Sequence, residues 1–204
     1  KLDAVSFSWQ KVLGGEGGHG VIVLSPNAIR RLSTFYPERP IPKIFRLVKN
    51  GKLIEGVYEG ETLNTPSMFC VADALDSLMW IKEIGGLTET IRRSNENFKC
   101  LQGWVDKTPW IENLVSDPRN RSNTSVCLKF SDERLISLIP DEKTRFVKEF
   151  VALLEEENAA FDIKGHRNAP PGLRIWCGAT INLDDIQKLL PWLEYCFHEI
   201  ISSY

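Results

Sequence analysis

A lysine follows an apolar run close to the start of the sequence. The run from Val5 to Trp9 favours a strand, Lys11 comes next but one, and four of the seven residues after Val12 are glycine. A lysine amine beside a backbone kept thin by glycine can form a Schiff base with a bulky aldehyde, because the compact ammonium loses its proton readily when desolvated. The spacing alone equally fits a solvated charge next to a hairpin loop. It does not fit a phosphate-binding P-loop, in which the glycines precede the lysine.

Three cationic side chains stand close together further along the chain. His166-Arg167 lies in a polar stretch, whereas Arg174 is flanked by the apolar residues of a predicted strand. Burying an unpaired guanidinium is costly, so Arg174 needs a partner. The spacing leaves two partners open. One is an acid such as Asp162, and the other is a substrate carboxylate held by two parallel hydrogen bonds.

The segment Asn64-Thr65-Pro66-Ser67 predicts the start of a helix that runs to about Ile84. Asn64 or Thr65 suits the N-cap, and Pro66 suits the first helical position. A helix N-terminus also attracts an anion, so capping and phosphate binding are both open to these residues. Residues 43–63 contain the turn Lys49-Asn50-Gly51-Lys52 and predict a hairpin. Their basic side chains are typical of a solvated face, although a wall of an anionic site is the alternative.

The composition is that of a soluble globular protein. The chain has 204 residues, of which 43% are hydrophobic and 25% charged, with a net charge of −2. This charge offers no basic field for nucleic acid or anionic membrane, and no apolar run is long enough to span a bilayer. Lys1–Ala4 does not resemble a signal peptide, and we expect a cytoplasmic location. The five cysteines are widely spaced, mostly in apolar runs and without a Cys-x-x-Cys pair, which predicts reduced, buried thiols and no metal site.

The hydrophobic pattern divides the chain at Gly85-Gly86. The first part predicts strands over 3–8 and 20–25, the second buried on both faces, and a short helix over 28–35 capped by Asn27. The second part predicts helices and strands in alternation, with Asn182 capping the last helix. They are a helix over 87–107, strands over 110–115 and 123–130, a helix over 140–158, strands over 161–163 and 173–177, and a helix over 183–201. This order is typical of an α+β domain with helices on one face of an antiparallel sheet.

Two stretches carry a family resemblance. Ser8-Trp9-Gln10-Lys11 with the glycines that follow, and Gly165-His166-Arg167 with Pro171-Gly172-Leu173-Arg174, resemble motifs of phosphoserine aminotransferases. These are class V aminotransferases of the pyridoxal phosphate (PLP) fold type I. The resemblance covers only their C-terminal half. It implies an α/β fold in which residues 1–85 are the C-terminal part of the PLP-binding large domain and 86–204 are the α+β small domain.

The resemblance also implies a role for each candidate residue. Lys11 would hold PLP as a Schiff base and move the proton at the substrate Cα, with Gln10 as a cofactor-side contact. Asn64 and Thr65 would contact the cofactor phosphate from the neighbouring subunit, which implies a homodimer with a shared active site. The three remaining residues would bind substrate: Arg174 through its α-carboxylate, and His166 and Arg167 through its phosphate.

The implied reaction is a transamination in serine biosynthesis. L-Glutamate would become 2-oxoglutarate, and 3-phosphooxypyruvate would become O-phospho-L-serine. A related phosphorylated hydroxythreonine of vitamin B6 (pyridoxine) biosynthesis is a second substrate in the family. The acid, the stacking ring and the phosphate contacts that the family places before its lysine lie outside these 204 residues, so we expect this length alone to bind PLP poorly and not to turn over. The alternatives are a class V aminotransferase with another substrate and a non-catalytic binding module.

Overall fold

The computed structural model describes all 204 residues and divides the chain into two compact units. The first unit is Lys1–Trp80 and the second is Ile81–Tyr204. No helix in the chain combines the length and the apolar character that a bilayer crossing requires.

The first unit begins with a hairpin that carries Lys11 in its loop. Strand β1 (Ala4–Ser8) pairs antiparallel with β2 (Gly20–Leu24), and Ser8 lies opposite Gly20. Residues 9–19, which we call the lysine loop, therefore connect the two strands, as the sequence predicts. The prediction that the second strand is buried on both faces is wrong. The sheet has only two strands, and the residues of β2 are exposed or half-buried.

Helix α1 (Pro26–Thr34) begins earlier than predicted. The Ser25 hydroxyl accepts a hydrogen bond from the Ala28 backbone N–H at 3.1 Å, so Ser25 is the N-cap. The predicted cap, Asn27, lies inside the helix. The reason is Pro26, whose fixed backbone angle suits the first helical position and whose missing N–H costs nothing there.

The predicted hairpin in residues 43–63 is confirmed. Strands β3 (Val48–Lys49) and β4 (Lys52–Leu53) pair antiparallel across the two-residue turn Asn50-Gly51. Both turn residues have positive φ, 53° and 74°. That is the backbone of the turn that matches the right-handed twist of a hairpin, and Asn-Gly adopts it most readily.

Helix α2 (Met68–Ile84) begins later than predicted. The Ser67 hydroxyl accepts from the Cys70 N–H at 3.3 Å, so neither Asn64 nor Thr65 is the cap, and Pro66 lies before the helix. The Asn64 carbonyl accepts instead from the Thr62 hydroxyl, which holds it in a local turn. The predicted break between helices at Gly85-Gly86 is confirmed, because Gly85 has a φ of 116° and helix α3 (Gly86–Val105) begins next to it. The domain boundary predicted there stays a prediction, since the two compact units divide after Trp80.

The second unit is an antiparallel sheet with helices on one face. Strand β6 (Ser125–Phe130) lies between β5 (Ile111–Asn113) and β7 (Leu173–Trp176). Helices α4 (Glu133–Ile136) and α5 (Pro140–Glu156) lie between β6 and β7 in the chain, and α6 (Leu183–Ile201) follows β7. Asn182 is the N-cap of α6, as predicted. The α+β arrangement predicted for this part of the chain is confirmed.

An aromatic cluster forms the centre of the second unit. The rings of Trp110 and Phe197 stack with centroids 4.1 Å apart. Phe130 packs edge-on against Phe146 at 4.9 Å and against Phe150 at 5.2 Å. Aromatic pairs in such geometries stabilise a core beyond the area they bury. The first unit differs, since Ala74 is its only buried residue.

The strand predicted over 161–163 is wrong. Asp162 has a φ of 52°, which lies in the left-handed region and interrupts an extended strand. A single bridge between Lys164 and Leu173 pairs this segment with β7.

Replacement of Phe150 by alanine should lower the free energy of unfolding by about 3–5 kcal/mol, because Phe150 is 0% exposed and its removal leaves a cavity. Phe161→Ala is the matched control. Phe161 is 64% exposed, so its replacement should change the free energy by less than about 0.5 kcal/mol. Urea denaturation of the two variants measures the difference. Equal losses would contradict the placement of Phe150 at the core.

Candidate functional site

The lysine loop starts with a tight backbone turn. The Gly15 N–H donates to the Trp9 carbonyl and the Gly14 N–H donates to the Lys11 carbonyl, both at 3.0 Å. The Lys11 side chain is exposed, and no carboxylate lies within 4.0 Å of its amine. The backbone therefore fixes the position of Lys11 and leaves its amine without an ion pair.

The middle of the lysine loop is bonded to α2. The Glu16 N–H donates to Oδ2 of Asp73 at 2.6 Å. One turn earlier in α2, the Cys70 thiol donates to the Gly17 carbonyl at 3.8 Å. These contacts join residues more than 50 positions apart in the sequence.

The end of the lysine loop is bonded to the segment that precedes α2. Nε2 of His19 accepts from the Ser67 N–H at 3.4 Å, and the His19 ring lies 5.7 Å from the Trp9 ring. Asn64 and Thr65 are exposed on the same segment, three and two residues before Ser67. The structure therefore brings the segment of Asn64 and Thr65 to the lysine loop. A contact with a neighbouring subunit concerns a second chain and stays a prediction.

The side chain of Gln10 lies close to Gly17 in the lysine loop. A Cβ atom added to Gly17 would stand 2.4 Å from Oε1 of Gln10, so this glycine makes room for the Gln10 side chain. Beside it, the indole N–H of Trp9 is buried and has no hydrogen-bond partner. A buried donor without a partner is uncommon and calls for an acceptor.

The second unit places the other three candidates in one local structure. The Gly165 N–H donates to the Gly172 carbonyl at 2.9 Å and closes residues 166–171, which we call the His-Arg loop. Within it, Nδ1 of His166 accepts from the Asn168 N–H at 3.2 Å. His166 and Arg167 are exposed, and no carboxylate lies within ion-pair distance of Arg167. Both side chains are free to meet an anion.

Arg174 follows the His-Arg loop on strand β7. Its side chain is 37% exposed, and its Nη2 lies 3.3 Å from Oδ2 of Asp162. This is the acidic partner that the sequence left open as one alternative. Asp162 is 91% exposed, and such a surface pair contributes only about 0–1 kcal/mol. A bound carboxylate can therefore take the place of Asp162 at little cost.

Close backbone contact holds the His-Arg loop against the sheet. A Cβ atom on Gly172 would lie 2.2 Å from the Leu128 carbonyl oxygen of β6. The neighbour is backbone of a central strand, so it cannot move without disturbing the sheet. Gly172 thus positions both the end of the His-Arg loop and Arg174 two residues later.

The cysteines are all free thiols, as the sequence predicts. Cys177 and Cys196 are buried, and the other three are partly exposed. Burial raises the pKa of the Cys177 thiol to about 12 and that of Cys196 to about 11, so both stay protonated near neutral pH.

Asp73 and His19 are the contact residues that sequence reasoning missed. His19 belongs to the glycine-rich motif, so its place in the loop was visible although its partner was not. Asp73 gave no signal, because one acid on a predicted helix is ordinary. Lys11, Gln10, Asn64 and Thr65 lie in the first unit, and His166, Arg167 and Arg174 lie in the second.

Curated relatives cover nearly the whole chain. It is 47% identical over 200 residues to the phosphoserine aminotransferase of Methanosarcina barkeri, a match that takes in 97% of this chain and 51% of that protein. The phosphoserine aminotransferase of Methanosarcina mazei is also 47% identical, over 97% of this chain and 50% of its own length. This chain is a homologue of the phosphoserine aminotransferases. It spans about half the length of these curated relatives. No protein-family model matches it.

Solved structures agree in fold. The phosphoserine aminotransferase from Bacillus circulans subsp. alkalophilus superposes with a TM-score of 0.71 at 22% identity, over 97% of this chain and 48% of that one. A PLP-bound phosphoserine aminotransferase from Trichomonas vaginalis gives 0.69 at 19%, over 95% and 48%. A cysteine desulfurase from Escherichia coli gives 0.56 at 15%, over 97% and 46%. The predicted PLP-dependent transferase fold is confirmed.

Replacement of Gly172 by alanine should cost about 1–3 kcal/mol of stability, because the new methyl group overlaps the Leu128 carbonyl and the strand must shift. Gly103→Ala is the matched control. Gly103 lies in α3 with open space around its Cα, so alanine there should be neutral or stabilising by up to about 1 kcal/mol. Urea denaturation distinguishes the two. A Gly172→Ala protein as stable as the wild type would show that the close contact is not required.

Proposed function

We propose that this chain supplies the lysine and arginine groups of a PLP-dependent phosphoserine aminotransferase. The observation that carries the proposal is the 47% identity over 97% of the chain to phosphoserine aminotransferases. In this proposal residues 1–85 are the C-terminal part of the large, PLP-binding domain, and residues 86–204 are the small domain. The enzyme is a cytoplasmic homodimer that acts on small molecules.

The residues of the first unit fit PLP. Lys11 has an exposed amine without an ion pair, Gln10 lies beside it, and the buried Trp9 N–H lacks an acceptor. Asn64 and Thr65 would bind the cofactor phosphate, in the neighbouring subunit of a homodimer with a shared site. When bound, PLP draws electrons from the substrate Cα and so makes its C–H bond acidic.

Lys11 has two tasks in this proposal. Its amine would hold PLP by bonding to the aldehyde carbon of the cofactor while no substrate is present. With substrate bound, the free amine would stand next to the substrate Cα, where it would take up the proton and return it during the transfer. The hydrogen-bonded turn that begins at Lys11 keeps the amine in place between these two tasks.

Arg174 positions the substrate. Its guanidinium would bind the α-carboxylate by two parallel hydrogen bonds, which fix the direction of the bond to be broken as well as adding affinity. Asp162 holds the side chain by one weak surface contact until the substrate arrives.

His166 and Arg167 select the substrate. An exposed guanidinium and an exposed imidazole on one loop suit the phosphate of 3-phosphooxypyruvate and O-phospho-L-serine, which L-glutamate and 2-oxoglutarate lack. This assigns the chain to serine biosynthesis. A phosphorylated hydroxythreonine of vitamin B6 biosynthesis carries the same phosphate and is a second candidate substrate.

Borohydride reduction of the full-length protein with PLP should place a pyridoxyl group on Lys11, because reduction makes the Schiff base permanent. Peptide mapping by mass spectrometry locates the label. Lys11→Ala should lose the label and the transaminase activity, whereas Lys188→Ala, which removes an exposed lysine of helix α6, should keep both. An unlabelled Lys11 in a folded full-length protein would remove the PLP mechanism.

Arg167→Ala should lower kcat/KM for O-phospho-L-serine by about 10- to 100-fold, since one charge-assisted contact to the phosphate is lost. The half-reaction with L-glutamate, which has no phosphate, should change far less. Arg119→Ala is the control, because Arg119 is an exposed arginine whose partner is Asp117 on its own turn. Equal losses with both amino donors would point to an unphosphorylated substrate.

A further inference from the structure

One carboxylate ties the lysine loop to the body of the first unit. Oδ2 of Asp73 accepts the Glu16 N–H at 2.6 Å, from a half-buried position inside α2. Building on the function proposed above, we propose that Asp73 is a positioning residue for Lys11. It fixes the lysine loop on α2 and thereby holds the amine where the cofactor aldehyde and the substrate Cα must meet it.

The contact has the form of a strong hydrogen bond. An ionised acceptor shortens and strengthens the bond from a backbone N–H, and the carboxylate of Asp73 has no cationic side chain within 4.0 Å to compete for it. Gly15 permits this close approach of the Asp73 carboxylate to the loop. A Cβ atom added at Gly15 would lie only 3.3 Å from Oδ2 of Asp73. A side chain at position 15 would press against the carboxylate.

Two backbone hydrogen bonds, donated by the two residues before Glu16, connect the contact of Asp73 with the position of Lys11. Glu16 follows Gly15, which donates to the Trp9 carbonyl, and Gly14, which donates to the Lys11 carbonyl. A displacement of Glu16 therefore displaces both donors, one bonded to the carbonyl of Lys11 itself and the other to the carbonyl of Trp9 two residues before it. Catalytic geometry is sensitive to shifts of about 1 Å, so this short path is sufficient to affect the reaction.

His19 supplies a second tie at the end of the loop. Nε2 of His19 accepts from the Ser67 N–H at 3.4 Å, and the same ring packs on Trp9 at the start of the loop. The bond from Ser67 is longer than the bond to Asp73 and is made by a neutral acceptor, so we assign the larger share to Asp73.

The test compares Asp73→Ala and Asp73→Asn with Asp76→Ala in the full-length protein. Asp76 is an exposed acid about one turn further along α2, so it matches the change in charge and in helix propensity. The first measurement is hydrogen exchange of the Glu16 amide without PLP. The second is the rate at which PLP and borohydride label Lys11.

Asp73→Ala should speed exchange at Glu16 and slow labelling of Lys11, each by about tenfold, since a hydrogen bond to a charged group is lost. Asp73→Asn should lie between Asp73→Ala and the wild type, because an amide oxygen still accepts the bond. Asp76→Ala should match the wild type in both measurements. If Asp73→Ala does not fold, the isosteric Asp73→Asn variant decides.

Two results overturn the inference, and they differ from a failure of the proposed function. Unchanged exchange at Glu16 would show that the tie is not made. Faster exchange with an unchanged labelling rate would show that the tie does not position Lys11. A wild-type protein that is never labelled at Lys11 would overturn the function itself, and the positioning role with it.

Discussion

The burial of one face of the three-stranded sheet decides where Arg174 points. Leu173 and Ile175 are 1% and 2% exposed on the core side of β7, so Arg174 between them must face outward. Side chains alternate along a strand, and a shift of one residue would exchange the two faces. Such a shift would bury the guanidinium of Arg174 and expose two core residues, at a cost of several kcal/mol for the charge alone. Core packing, far more than any contact of Arg174 itself, therefore keeps the guanidinium of this arginine on the outer face of β7.

In the first unit, hydrogen bonds rather than core packing position the lysine loop. With Ala74 as its only buried residue, it has no core that could hold the lysine loop in place. Hydrogen bonds do so instead: two backbone bonds close the turn at Lys11, and Asp73 and His19 tie the loop to α2 and to the segment before it. Each such bond contributes about 0.5–1.5 kcal/mol, or more where one partner is charged. The position of Lys11 is thus set by a few bonds that a single substitution can remove, whereas that of Arg174 is set by many apolar contacts.

This difference also explains what the sequence could predict. The helices and strands of the second unit follow a regular apolar pattern, and six of its seven predicted elements lie within a few residues of their predicted bounds. The predictions failed where a single residue determines which helix cap or backbone conformation forms. Ser25 with Pro26 displaced Asn27 as a cap, and the positive φ of Asp162 removed a strand that its apolar neighbours favoured. The candidate site residues came from motif resemblance. Asp73 could not be found that way, because its partner lies 57 residues away and an acid on a helix has no local signature.

In the proposed function, the weak pair of Arg174 and Asp162 leaves the guanidinium easily transferred to a ligand. A buried, fully paired arginine would be difficult to transfer to a ligand, since breaking such a pair costs about 3–5 kcal/mol. Asp162 instead offers one contact from a side chain that is 91% exposed, on a segment whose left-handed backbone at Asp162 interrupts a regular strand. The pair holds the guanidinium by one contact of 3.3 Å that is worth little more than its contacts with solvent. A carboxylate that accepts two parallel hydrogen bonds is then the better partner, and the difference between one bond and two favours the exchange.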